Sequence, residues 1–142
     1  SALLQGAPRE GRNGKWLDRL EKASGRQRAT VEVVRNRKPN AQLLFHVTRI
    51  FPSTRLTLVE IELITGLTHQ IRVQAASRHR PVLGDPLYGS FQANRDMKKR
   101  FGLDRMFLHA SRVEFRHPMT GKHVVIKAPL PEDLSEVLRK LR

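Results

Sequence analysis

The sequence predicts an α+β domain built on a mostly antiparallel mixed sheet with interspersed helices. Three observations carry that expectation. Runs rich in β-branched residues recur in pairs, separated by short polar or proline-containing turns. The hydrophobic period switches from alternating to helical in three places. The length of 142 residues, 39% hydrophobic, suits one domain with a real core.

Taken in order, residues 1–28 read as an irregular basic segment and 29–142 as the structured core. Within the first part, Trp16-Leu17-Asp18-Arg19-Leu20 reads as a short turn of helix. Ala29 to Val34 is a strand closed by the polar turn Arg35-Asn36-Arg37-Lys38-Pro39-Asn40. Gln42 to Ile50 and Arg55 to Ile64 form a hairpin around Pro52-Ser53. After Gly66 the period changes, and a helix runs from about His69 to Ser77 with Thr68 as its N-cap. Pro81 to Gly89 is a loop punctuated by proline and glycine, and residues 92–103 form a basic helix. Phe107 to Phe115 and His123 to Ala128 read as strands joined at Pro118-Met119-Thr120-Gly121. Leu134, Val137, Leu138 and Leu141 fall at i, i+3, i+4 and i+7, giving a closing amphipathic helix with acids in its first turn.

Charge is the first functional clue. Twenty-seven Lys and Arg against 13 Asp and Glu give a net charge of +14. Such an excess points to a polyanion, nucleic acid first, while a merely solvated surface is the plainer explanation. Without cysteine there is no disulfide framework, thiolate metal site or cysteine nucleophile. No apolar run approaches the roughly 20 residues of a membrane span, and no basic amphipathic helix with bulky aromatics suggests a membrane surface. The expectation is a soluble cytoplasmic protein. No histidine pair has the spacing of a zinc helix, and neither a Gly-x-Ser-x-Gly elbow nor a Walker loop occurs. The sequence suggests no metal and no cofactor.

The densest cluster of chemistry is Gly66-Leu67-Thr68-His69-Gln70-Ile71-Arg72-Val73, where a strand hands over to a helix. Free N–H groups at a helix start attract anions, and an arginine in the first turn adds a donor fork. Ile71 and Arg72 are adjacent, so one can pack inward while the other faces a cleft. A simple cap and a solvated arginine explain the same residues equally well.

The stretch Leu58 to Val73, followed by Gly84-Asp85-Pro86-Leu87-Tyr88-Gly89, resembles the RluA-type pseudouridine synthases. Phe107-Leu108-His109-Ala110, the His117-Pro118 hairpin and Ala128-Pro129-Leu130-Pro131 continue the likeness. The resemblance runs from about Ala2 to the end and matches the later half of such a catalytic domain. It implies isomerisation of uridine in structured RNA, ribosomal RNA foremost: the base leaves C1′ of the ribose, turns, and is rejoined through C5. In that family an aspartate within His-Arg-Leu-Asp does the work. The resemblance assigns Arg72 as the partner of that aspartate, a pairing that keeps the carboxylate ionised. It implies Thr68, His69, Gln70, Ile71 and Leu87 as substrate-binding residues, since an extruded base needs an apolar slot. The basic run Lys98, Lys99 and Arg100 is the candidate contact to the RNA backbone.

The departures are specific. No His-Arg-Leu-Asp segment is present, and Leu17-Asp18-Arg19 with Ser24-Gly25 has the wrong spacing to replace it. Leu67 stands where the family has arginine, and Gln74 where histidine is frequent. The expectation is therefore a partial catalytic domain, inactive alone, whose partners are RNA and its own missing N-terminal half. The alternative is a stand-alone RNA-binding or assembly module derived from the fold.

Overall fold

Alternating side chains become a five-stranded sheet in the computed structural model, which describes residues 1–23 and 30–141. The strands are β1 (Ala2–Gln5), β2 (Asn13–Lys22), β3 (Val31–Val34), β4 (Ala41–Phe51) and β5 (Leu56–Leu63). They lie in the order β1-β5-β4-β2-β3, and every neighbouring pair is antiparallel. Three helices follow, α1 (Gln70–Ser77), α2 (Phe91–Phe101) and α3 (Glu132–Lys140). Between the last two, β6 (Arg112–Arg116) and β7 (His123–Lys127) pair as a separate two-stranded ribbon.

A bulge decides which face of the sheet each residue serves. Along β4, Leu43, Phe45 and Val47 pack with Val59, Trp16 and Ala75 on the α1 side. The register then shifts between Val47 and Arg49. An extra residue reverses the alternation, so Phe51 joins Leu56 in the opposite core with Met97 of α2 and Leu134 and Val137 of α3. Strand β1 serves both sides, Ala2 and Leu4 facing one core and Leu3 the other.

Most expected elements are present, with instructive shifts. Residues 16–20 are not a helical turn but the middle of β2, and the segment expected to be irregular carries both β1 and β2. The reason is Asp18: it lies on the inward side of the strand with Trp16 and Leu20, where Gln74 and Arg78 bind it. Residues 24–28 of that segment, and Ala29 of the next expected strand, lie outside the described residues. The strand expected from Phe107 begins only at Arg112, because Phe107 is fully buried as a core plug. Thr68 caps nothing; the N-cap of α1 is His69, in the left-handed region at φ 57°. The basic helix runs from Phe91 to Phe101, started by Ser90 accepting from the Ala93 N–H and stopped by Gly102 at φ 77°.

Candidate active site

The junction between β5 and α1 is held from behind. Gln70 is buried; its Nε2 donates to the Gln42 carbonyl at 3.0 Å, and its Oε1 accepts from the Leu67 N–H at 3.1 Å. Thr65 completes the staple by donating to Gln70 Oε1 at 2.9 Å and accepting from the Gln42 N–H at 2.8 Å. These bonds fix where α1 begins, at the end of β5 and against β4. Gln70 is thus committed to the scaffold, whereas Thr68 is exposed and His69 half-buried beside it.

One turn on, Arg72 makes a two-pronged ion pair. Its Nε donates to Asp85 Oδ2 at 2.7 Å and its Nη2 to Oδ1 at 2.8 Å. Asp85 is completely buried, and Arg72 keeps 16% of its side chain exposed. Oδ1 also accepts the N–H groups of Leu87 at 2.9 Å and Tyr88 at 3.0 Å. Burial alone would push the Asp85 carboxyl up; the Arg72 fork and the two backbone donors outweigh it and hold the group below the usual carboxylate range. The same hydrogen bonds raise Arg72 further against the opposing effect of burial.

The loop that carries Asp85 explains its own sequence. Asp85 folds the chain over its side chain, a turn that aspartate favours. A Cβ on Gly84 would lie 2.2 Å from the Arg105 carbonyl oxygen, and one on Gly89 would lie 2.3 Å from the Asp85 carbonyl oxygen. Neither position tolerates a side chain. Asn94 ties the loop to α2 by accepting from the Gly84 N–H at 2.8 Å and donating to the Asp85 carbonyl at 2.8 Å. Tyr88 closes the site: the Arg72 guanidinium stands 5.0 Å from its ring centre. Its hydroxyl accepts from the Val31 N–H at 2.9 Å and meets His69 Nδ1 at 3.0 Å.

Of the residues that the sequence singles out, His69, Arg72 and the Leu87 loop come together here. Ile71 packs partly buried against the core containing Val59 and Ala75. Lys98, Lys99 and Arg100 stand apart, in the last turn of α2, where they complement the negative end of the helix. Lys98 pairs with Asp104 at 2.6 Å, and Arg100 covers the Phe101 ring. Sequence reasoning gave Asp85 and Tyr88 no role. The available signal was an aspartate and a tyrosine three residues apart between two glycines, the pattern of a loop built around a carboxylate. Among the described residues no cluster of His, Cys, Asp and Glu could hold a metal ion. No helix of the described residues is long and apolar enough to cross a membrane.

Comparison with known proteins gives the class. No family model matches the chain. An uncharacterised RNA pseudouridine synthase of Bacillus subtilis is 41% identical over 117 residues, covering 82% of this chain and 35% of the relative. Ribosomal large subunit pseudouridine synthase C of Escherichia coli is 42% identical over 87 residues, or 61% of this chain and 27% of the relative. Among solved structures, human RNA pseudouridylate synthase domain containing 1 superposes with a TM-score of 0.73 at 26% identity, over 92% of this chain and 53% of that one. Sequence and fold together place the chain with the RNA pseudouridine synthases. Within that class it is related to the RluA type, as the Thr-His-Gln-Ile-Arg and Gly-Asp-Pro-Leu-Tyr-Gly strings imply. The chain spans about a third or less of the length of these curated relatives.

Proposed function

We propose that this chain forms the arginine-bearing part of an RNA pseudouridine synthase that isomerises uridine in structured RNA, ribosomal RNA above all. The observation that carries the reading is the way Arg72 is held. A guanidinium has five N–H bonds, and Asp85 takes the side-on pair at Nε and Nη2. The end-on edge, Nη1 with the second Nη2 hydrogen, makes no hydrogen bond among the described residues. One arginine can therefore be locked by an internal acid and still present a fork to a second carboxylate. The family's catalytic aspartate is the group we assign to that edge, with Arg72 keeping it charged and oriented.

The surrounding residues suit a base turned out of its stack. His69 meets the hydroxyl of the tyrosine whose ring carries the guanidinium, Thr68 is exposed next to it in the chain, and Leu87 belongs to the Asp85 loop; with the partly buried Ile71, these are the residues we assign to the base. Isomerisation breaks the C1′–N1 bond, makes C1′–C5, and exchanges the C5 proton for one on N1. Nothing is oxidised or reduced, so the reaction as proposed needs no cofactor. That relatives are named for ribosomal RNA supports the choice of substrate.

A further polypeptide segment completing the catalytic domain belongs to the same proposal. Register places Val113, Phe115, Val124 and Ile126 on one face of the β6–β7 ribbon. Val113 is 50%, Phe115 40% and Ile126 54% exposed. A two-stranded ribbon is marginal by itself, and an apolar face of this kind is one that packing covers. The remaining part of such a domain, with its aspartate, is the partner we assign to it.

The test is release of tritium from [5-³H]uridine-labelled ribosomal RNA. The 142-residue chain is assayed alone, then joined to the sequence encoded upstream in its reading frame. Release by the extended protein supports the proposal. No release from the extended protein, with RNA still bound, favours the non-catalytic module.

A further inference from the structure

Two hollows meet at the C-terminal end of α1, and both are walled by arginine. The larger, about 570 Å³, lies between the end of β1, the β4–β5 turn, the end of α1 and the Tyr88–Ser90 stretch, with Arg55, His79 and Arg80 in its wall. The smaller, about 260 Å³, takes Arg9 and Arg35 from two further stretches, adds Arg78 from the end of α1, and shares His79 and Arg80 with its neighbour. The pair forms one furrow. Among the described residues the only acid in either wall is Glu10, which already faces Arg78 at 3.6 Å.

The furrow is built rather than incidental. Arg80 is pinned by two carbonyls, its Nε donating to Ala7 at 2.7 Å and its Nη1 to His79 at 3.0 Å, and no carboxylate touches it among the described residues. Gly6, at φ +80°, makes room for it, since a Cβ there would come within 3.0 Å of the Arg80 side chain. Arg55 and His79 both sit in the left-handed region, at φ 55° and 58°, a conformation uncommon outside glycine and asparagine. Arg78 is spoken for by Asp18 and the Trp16 ring, but Arg9, Arg35 and Arg55 have no ion pair among the described residues. A cation after a helix C-terminus can simply answer the helix dipole. That explains His79 and Arg80; it does not explain arginines arriving from three other parts of the chain.

We infer that this furrow, and not the end of α2, is the track for the phosphodiester backbone of RNA. The inference rests on the RNA-modifying function proposed above and adds where the backbone lies. Continuity favours it: Tyr88 lines the larger hollow and carries the Arg72 guanidinium on its ring. Lys98, Lys99 and Arg100 line neither hollow.

The experiment measures binding of a fluorescein-labelled RNA hairpin by the full chain across a salt series. Arg35→Gln with Arg55→Gln removes two exposed side chains and should leave the fold intact, as an unchanged amide NMR spectrum would confirm. The slope of log affinity against log salt should fall by about two, roughly one for each phosphate no longer neutralised. Lys98→Gln with Lys99→Gln should leave the slope where it was. An unchanged slope in the first variant, or a loss confined to the second, overturns the furrow while RNA binding itself stands. No RNA binding by the unaltered chain overturns the furrow as well, while tritium release by the extended protein decides the catalytic reading separately. Equal affinity for polyglutamate overturns the furrow as an RNA track and makes it an acidic-protein surface.

Discussion

Arg72–Asp85 and Arg105–Asp133 are the same chemical pair in two settings. In each, Nε reaches Oδ2 and Nη2 reaches Oδ1, at 2.7 and 2.8 Å in the first and 2.6 and 3.2 Å in the second. The first aspartate is completely buried and accepts two further backbone N–H groups; the second is 56% exposed and its arginine 45%. Water competes for the exposed fork and screens it, so its contribution is small. The buried fork has no such competitor. It organises a loop, holds a tyrosine beside its arginine, and fixes the outer edge of a guanidinium. Geometry alone does not separate the two; surroundings do.

The largest effect should come from breaking the buried fork on one side. Asp85→Ala leaves Arg72 without its acid and should cost about 3–5 kcal/mol in urea unfolding. Replacing both partners, Arg72→Met with Asp85→Leu, should recover a good part of that loss, because no unpaired charge remains. A double variant no better than Asp85→Ala would show that the loop, and not the uncompensated arginine, sets the cost.

Next in size is Tyr88→Phe. It removes the acceptor of the Val31 N–H and the partner of His69 while keeping the ring under Arg72. A loss of about 1–2 kcal/mol is expected, with the amide signals of Val31 and His69 moving most.

The pH dependence sharpens the same contrast. Asp85 is held below its ordinary value when folded, so its contribution is fully present above about pH 4 and is lost as acidity passes through the lowered folded value. Between neutrality and pH 5 this pair should add no slope to a thermal melting curve; below pH 4 it should. Asp85→Asn should flatten that acid limb. Asp133 is lowered too, chiefly by the Arg105 hydrogen bond, but with more than half of its side chain in solvent. Arg105→Gln should therefore leave the urea midpoint unmoved, the smallest effect of the set.

What the sequence revealed follows the same line between local and converging features. The β4–β5 hairpin and α3 were legible because their periods are carried by apolar residues close together in the chain. Strand β2 was not, since its inward row of Trp16, Asp18 and Leu20 includes a charge whose partners, Gln74 and Arg78, lie far along the chain. In the site, Arg72 stood out by its place at a helix start, and the glycine-bounded loop stood out as a motif. Their meeting did not, because 13 residues separate Arg72 from Asp85 and only the fold brings them together. The basic run on α2 was conspicuous for being contiguous. The furrow was invisible, because its arginines come from four separate stretches of chain.

The central claim is that Arg72, locked by Asp85, offers its free edge to a catalytic carboxylate. Its most direct test is tritium release from [5-³H]uridine-labelled RNA by the chain joined to the sequence encoded upstream in its reading frame, comparing Arg72 with Arg72→Lys. Lysine keeps the charge but has no second edge. Turnover should fall by two or more orders of magnitude with RNA retention nearly unchanged. Turnover close to that of the parent would mean that a point charge suffices there, and the two-edged role assigned to Arg72 would be wrong.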